Sequence, residues 1–266
     1  MEKRDGTIRL GLLGLGAIGG YVLDRLDREP GSIEVVGAAD LCDSPPDVAA
    51  ILDRRGIRRR ADAAAMIDDR PDVVLEAAGV DAAASFVPFF LERGVSVVCM
   101  SSGALAEPAL LDRVTRLCRP DGPRLVVPSG AVAGIDLLRA AALGRLDRVH
   151  LRTVKPAASL GGGKSAPEVL FSGNAAEAIR RFPRNINVAV TLSLAGLGAE
   201  RTTVEIVADP AATFNTHTVT IEGEFGTAEI TVRNFPSPSN PKTSALAGLS
   251  ALAALRALSP AIRLGT

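Results

Sequence analysis

Short apolar runs alternate with segments of helical periodicity through the first half of the chain. Ile8 to Leu13, Ile33 to Ala39, Val73 to Ala77, Val95 to Met100 and Arg124 to Val127 carry few polar interruptions, the pattern of strands buried on both faces. Between them, residues 17–28 bring Ile18, Val22 and Leu26 onto one helical face, and residues 107–118 do the same with Leu110, Val114 and Leu117. Asp81 is placed to cap a further helix, and Pro88 is expected to bend or restart it. Strands and helices in strict alternation specify a parallel sheet covered on both sides.

The rhythm changes after Pro128. A strand-like stretch from Arg148 to Val154 runs into PAASLGGGKSAP, whose Gly, Ala, Pro and Ser content predicts a loop. A helix is expected over Asn187 to Leu197, then β-type runs at Thr202 to Val207, Thr216 to Glu222 and Thr227 to Val232 with no helix between them. Neighbouring strands of this kind build a mixed or antiparallel sheet, so the second half reads as a separate α+β domain. Beyond FPSPSNP, an Ala/Leu-rich helix from about Lys242 to Leu258 is positioned to return to the first domain.

The chemistry begins at the first strand-to-helix turn. Gly14-Leu15-Gly16-Ala17-Ile18-Gly19 fits G-x-G-x-x-G in the context that gives this pattern meaning, after a strand and opening a helix. Gly14 permits the tight turn, Gly16 lets backbone approach a pyrophosphate, Gly19 lets helix and strand pack closely, and the N–H groups of Ala17 and Ile18 face the phosphates. The second strand ends in Asp40, where a carboxylate accepts from both ribose hydroxyls of an adenosine. These features together predict a Rossmann-type, doubly wound parallel sheet that binds a dinucleotide. A carboxylate at 40 repels a 2′-phosphate, which favours NAD; NADP stays the alternative because Arg54, Arg55, Arg58, Arg59 and Arg60 follow, either reaching an adenosine phosphate or forming a solvated turn. Ala78 and Gly79, and Ser101 after the next strand, lie on the carboxyl edge of the sheet. There they either leave room for the nicotinamide ribose or merely make short turns.

Composition narrows the partners. Thirty basic residues balance thirty acidic ones, and only 3% of residues are aromatic, with no Trp and one Tyr. Neither electrostatic attraction nor base stacking favours nucleic acid. No stretch reaches the roughly 18 uncharged apolar residues of a membrane span, and the uncharged run from Leu10 to Leu23 carries the spaced glycines of a folded turn instead of a signal peptide. Cys42, Cys99 and Cys118 make neither a disulfide framework nor a thiolate metal site, so a reducing, cytoplasmic setting is expected. Imidazole chemistry has only His150 and His217 to draw on.

PSGAVAGID at 128–136, TVKPA at 153–157, PRNINVAVTLSLAG at 183–196, ADPAATFNTHTVTIEGEFG at 208–226 and NPKTSALA at 240–247 resemble, in order and spacing, the L-aspartate dehydrogenase family. The resemblance implies NAD(P)-dependent oxidative deamination of L-aspartate, through iminoaspartate, to oxaloacetate and ammonia; in some members iminoaspartate feeds NAD biosynthesis. It puts the catalytic histidine at His217, with cofactor contacts at Ala131 and Asn187, and it implies a homodimer through the second-domain sheet. The segment after Lys155-Pro156 is shorter than the family's.

The residues themselves leave His217 open. Asn215, His217, Val219 and Ile221 share a strand face, which suits a satisfied core histidine as well as a proton carrier. His150 has no companion motif and reads as structural. Lys155, Asn215 and Lys242 are the groups placed to meet the two carboxylates of an aspartate, an exposed strand-end lysine being the alternative for Lys155. The expected organisation is a dinucleotide-binding domain over 1–130 completed by a helix within 240–266, and a catalytic and dimerisation domain over 131–239, with the active site between them. The rivals are a homoserine-dehydrogenase-like or dihydrodipicolinate-reductase-like enzyme, and a non-catalytic NAD sensor.

Overall fold

Val-, Ile- and Leu-rich runs in the first half of the chain become strands of one parallel sheet. The computed structural model describes residues 7–29, 31–40, 45–157, 166–182, 186–237 and 240–258, excepting the side chains of Pro241 and Lys242. By chain contacts it divides into a first unit up to Pro128 that resumes at Gly248, and a second from Ser129 to Ala247.

The first unit runs β1 (Ile8–Leu13), α1 (Ala17–Arg28), β2 (Ile33–Ala39), α2 (Pro46–Arg55), β3 (Arg58–Arg60), a 3-10 turn, β4 (Val73–Glu76), α3 (Val80–Glu92), β5 (Ser96–Cys99), a second 3-10 turn, α4 (Pro108–Leu117) and β6 (Leu125–Val126). Strand order is β3-β2-β1-β4-β5-β6, all parallel. The order reverses direction between β1 and β4, the switch point beside which such sheets bind dinucleotides. Leu10, Leu12, Leu13, Val73, Val74, Leu75, Val97 and Val98 are buried, as two-sided coverage requires.

Two local expectations are corrected here. The arginine-rich stretch is no simple turn: Arg54 and Arg55 end α2, and Arg58–Arg60 pair with Gly37–Ala39 as an edge strand. Acidic partners make this tolerable, since Arg54 and Arg55 both bind Asp27, and Arg60 grips the two oxygens of buried Asp69 at 2.9 and 2.5 Å. Gly79, not Asp81, stands at the N-cap of α3, and the helix continues through Pro88. Phe89 packs edge-on against Phe86 and Phe90 around that proline, so tertiary packing overrides the local penalty.

The second unit comprises α5 (Ile135–Ala141), β7 (Leu146–Pro156), β8 (Glu168–Asn174), α6 (Ala175–Arg181), α7 (Asn187–Ala195), β9 (Thr202–Asp209), β10 (Asn215–Gly223), β11 (Gly226–Asn234), the short β12 (Pro236–Ser237) and β13 (Asn240–Ser244), and the first turn of α8 (Ala245–Arg256). Its sheet is mixed, in the order β11-β10-β7-β9-β8, with only β7 and β9 parallel. Alternation separates its faces: Val149, Leu151, Val204, Val219 and Ile221 are buried, while His150, Arg152, Thr203, Glu205, Thr218 and Thr220 occupy the opposite, wetter face. β8 and α6 escape the periodic reading. Asn174 accepts from the Glu177 N–H and Glu177 reaches back to the Asn174 N–H, a capping box visible as N-x-x-E.

The final helix begins at Ala245, not near Lys242, which belongs to strand β13. From Gly248 onward α8 belongs to the first unit: a Cβ on Gly248 would come within 2.7 Å of the Tyr21 ring, and Arg256 pairs with Glu29 at 3.3 Å.

Candidate functional site

The turn after β1 has the dimensions a pyrophosphate needs. Gly14 sits at φ +92°, and a Cβ there would lie 2.6 Å from the backbone of Ala77 and Ala78. A Cβ on Gly19 would lie 1.9 Å from the Gly14 carbonyl oxygen, so α1 can start this close to the turn only without a side chain. Gly16, by contrast, faces open space with nothing within 4 Å. No side chain caps α1 and its first turn holds no acid, which leaves the helix dipole to an incoming anion. Ala17 and Ile18 form that first turn, half-buried. Asp40 follows β2 and accepts the Leu15 N–H at 2.6 Å, which ties the expected ribose position to the glycine turn. These residues fit a dinucleotide. Substituting Gly19→Ala should cost about 2–4 kcal/mol of stability by overpacking against backbone that cannot give way; urea unfolding of the variant beside the parent measures it.

Ala78 and Gly79, at the end of β4, are half-buried, and Ser101, at the end of β5, is buried. All three converge on a residue that the sequence places on the same carboxyl edge but gives no role of its own. Glu76 is 1% exposed, and its Oε1 accepts from Ala78 N–H, Gly79 N–H and the Ser101 hydroxyl at 2.9, 3.2 and 2.9 Å. Its Oε2 accepts from Ser101 N–H at 3.1 Å and Cys99 Sγ at 3.4 Å. The available signal was a carboxylate ending an otherwise apolar strand directly before small residues.

In the second unit, β10 carries His217 to the buried side of the sheet with Val219 and Ile221. The ring is 7% exposed, and Nδ1 lies 3.0 Å from the hydroxyl of Thr153, its register partner on β7. Two residues along β7, on the same face, stands half-buried Lys155, with no acidic ion-pair partner among the described residues. Burial, and then the Lys155 charge, push the His217 pKa down to about 4; burial lowers Lys155 as well. At neutral pH the imidazole is therefore uncharged and able to accept a proton.

The His217 shift carries a sign for stability. Between about 6.5 and 4 the unfolded chain binds a proton at this residue and the folded chain does not, so the parent loses stability as pH falls through that window. Relative to His217→Gln, the loss between pH 7 and pH 4.5 should be on the order of 2 kcal/mol, read from urea midpoints at the two pH values. Parallel slopes for the two proteins would contradict the assigned burial.

The remaining expected site residues are distributed over the second unit. Asn215 opens β10, opposite Asn234 at the end of β11. Buried Asn234 donates to the Ala131 carbonyl at 2.9 Å and accepts from Ser244 at 2.6 Å, so it fixes the turn that holds Ala131; no sequence motif marked it. Asn187 begins α7 on an exposed position. The Lys242 side chain and residues 158–165, where the segment after Lys155-Pro156 was expected to be short, lie outside the described residues.

The family model "Aspartate dehydrogenase, C-terminal" matches residues 136–258, and "Homoserine dehydrogenase, NAD binding domain" matches residues 14–128. An L-aspartate dehydrogenase of Methanosarcina barkeri is 38% identical, over 97% of this chain and 100% of that protein. That of Methanopyrus kandleri is 41% identical, over 97% and 99%. The crystal structure of an aspartate dehydrogenase from Thermotoga maritima superposes with a TM-score of 0.78 at 30% identity, covering 97% of this chain and 99% of that one.

Proposed function

Because the chain belongs to the aspartate dehydrogenase family, we infer that it catalyses the NAD-dependent oxidative deamination of L-aspartate to oxaloacetate and ammonia, and the reverse reductive amination. The observation that carries this reading is the match of the second half. The first half matches a NAD-binding domain named for homoserine dehydrogenase, so it alone would not separate the two enzymes. The second half, with His217 and Lys155, is where the aspartate dehydrogenase model falls.

A bound NAD would supply the acceptor for the hydride that leaves the substrate Cα. The chain's own residues account for the rest. Gly14, Gly16, Gly19 and the first turn of α1 receive the pyrophosphate, and Asp40 the adenosine ribose. Ala78, Gly79, Ser101, Ala131 and Asn187 are assigned to the nicotinamide half. Lys155, Asn215 and Lys242 meet the substrate's two carboxylates, the ammonium of Lys155 gaining in the substrate the anion it lacks among the described residues. His217, neutral through burial, removes a proton from the water that attacks the imine carbon, and returns it to the departing nitrogen so that ammonia leaves. In this role His217 takes the tautomer whose Nδ1–H donates to the Thr153 hydroxyl, 3.0 Å away, which makes Nε2 the basic atom.

No described helix is long and apolar enough to cross a membrane; the cytoplasmic setting belongs to the proposal and rests on the cysteine pattern. A homodimer through the second-unit sheet completes the reading, and sedimentation equilibrium tests it. The activity itself is tested by NADH consumption with oxaloacetate: turnover that requires ammonium is expected, and turnover independent of ammonium contradicts it.

A further inference from the structure

We propose that Glu76 is a positioning residue whose carboxylate locks the β4–α3 and β5 loops together as one support for the nicotinamide half of the cofactor. The inference rests on the reading of the first unit as an NAD site. The two loops leave neighbouring parallel strands on the far side of the switch point from Asp40, so they serve the half of a dinucleotide that the glycine turn does not hold.

Backbone hydrogen bonds to the neighbouring strands end at Ala77, whose N–H donates to the Leu13 carbonyl at 2.8 Å, and at Met100, whose N–H donates to the Glu76 carbonyl at 2.9 Å; the N–H groups just beyond them need other acceptors. Glu76 supplies them to both. Its Oε1 takes the N–H groups of Ala78 and Gly79 from one loop, its Oε2 takes the Ser101 N–H from the other, and the Ser101 hydroxyl bridges them, receiving from Gly79 N–H at 3.1 Å while donating to Oε1. All five groups around the carboxylate are donors, which is the environment of an ionised acid, although burial raises its pKa. No cation pairs with it among the described residues. A buried acid held by neutral donors and no described cation costs stability relative to an apolar side chain, and its return is loop geometry.

Glutamine tests this because it keeps the shape but turns one oxygen into an N–H donor. Whichever way the amide sits, it opposes donors from one of the two loops. ADP-ribose lacks the nicotinamide ring, so it reports the adenosine and pyrophosphate contacts, and NADH reports the whole site. By calorimetry, Glu76→Gln should weaken NADH about tenfold, the loss of one charge-assisted hydrogen bond, and leave ADP-ribose within about twofold. Ser101→Ala removes only the hydroxyl bridge and should weaken NADH about threefold with ADP-ribose unchanged. If Glu76→Gln does not fold, Ser101→Ala decides alone. Unchanged NADH affinity, or equal loss of NADH and ADP-ribose, overturns the proposal. A parent protein that binds neither ligand overturns the NAD-site reading beneath it instead.

Discussion

Replacing His217 with alanine is expected to lower kcat for aspartate oxidation by about 10²–10⁴-fold, the usual contribution of a positioned general base. The dissociation constant for NADH should stay within about twofold, because no residue of the glycine turn, Asp40 or the Glu76 cluster is touched. The imidazole sits on a central strand between β7 and β11, 7% exposed, with Thr153 against Nδ1. A histidine of ordinary pKa would be half-protonated near 6.5; this one titrates at about 4 and is present as base throughout the neutral range. The acid limb attributable to this group should accordingly lie well below pH 6 in the free enzyme. Full activity in His217→Ala would leave the residue as a core histidine satisfied by Thr153.

Lys155→Met should raise the KM for aspartate by about 10²-fold with a smaller change in kcat, as removal of a desolvated charge opposite a carboxylate does. The lysine is half-buried, burial depresses its pKa, and no described acid pairs with it. Such a cation is a burden to the fold in the absence of ligand. Stability and affinity should therefore move in opposite directions, with the free variant at least as resistant to urea as the parent. A KM within about threefold of the parent would return Lys155 to the role of a strand-end lysine. Loss of its charge should also raise the His217 pKa, since that charge is one of the two causes of its depression.

The face His217 occupies was legible in the sequence, because a two-residue period fixes which side chains share a strand face and NTHTVTIE already put His217 beside Val219 and Ile221; Lys155 was marked only as a strand-end cation, with its burial unread. The parallel sheet was legible too, because two-sided burial writes itself as uninterrupted apolar runs. What escaped is instructive. β3 is three arginines, which no hydrophobic pattern marks, and it exists because Asp27 and Asp69 neutralise the surrounding charge. β8 ends in a capping box that was available as a signal. α8 starts three residues beyond Lys242 because residues 240–244 pair with β12 first. Glu76 and Asn234 were hidden for a deeper reason: their significance lies in backbone groups brought together from several segments, and a linear motif records side chains, not the N–H and carbonyl groups they will meet.

The central claim is that hydride goes to the Cα of an imine in a site that serves an amino acid. It is tested most directly by running the reverse reaction with NADH deuterated at the transferring position, oxaloacetate and ammonium, and following the product by NMR. The account predicts aspartate carrying deuterium at Cα, formed in proportion to NADH consumed. Deuterated malate in its place, or NADH consumption without labelled aspartate, would contradict it.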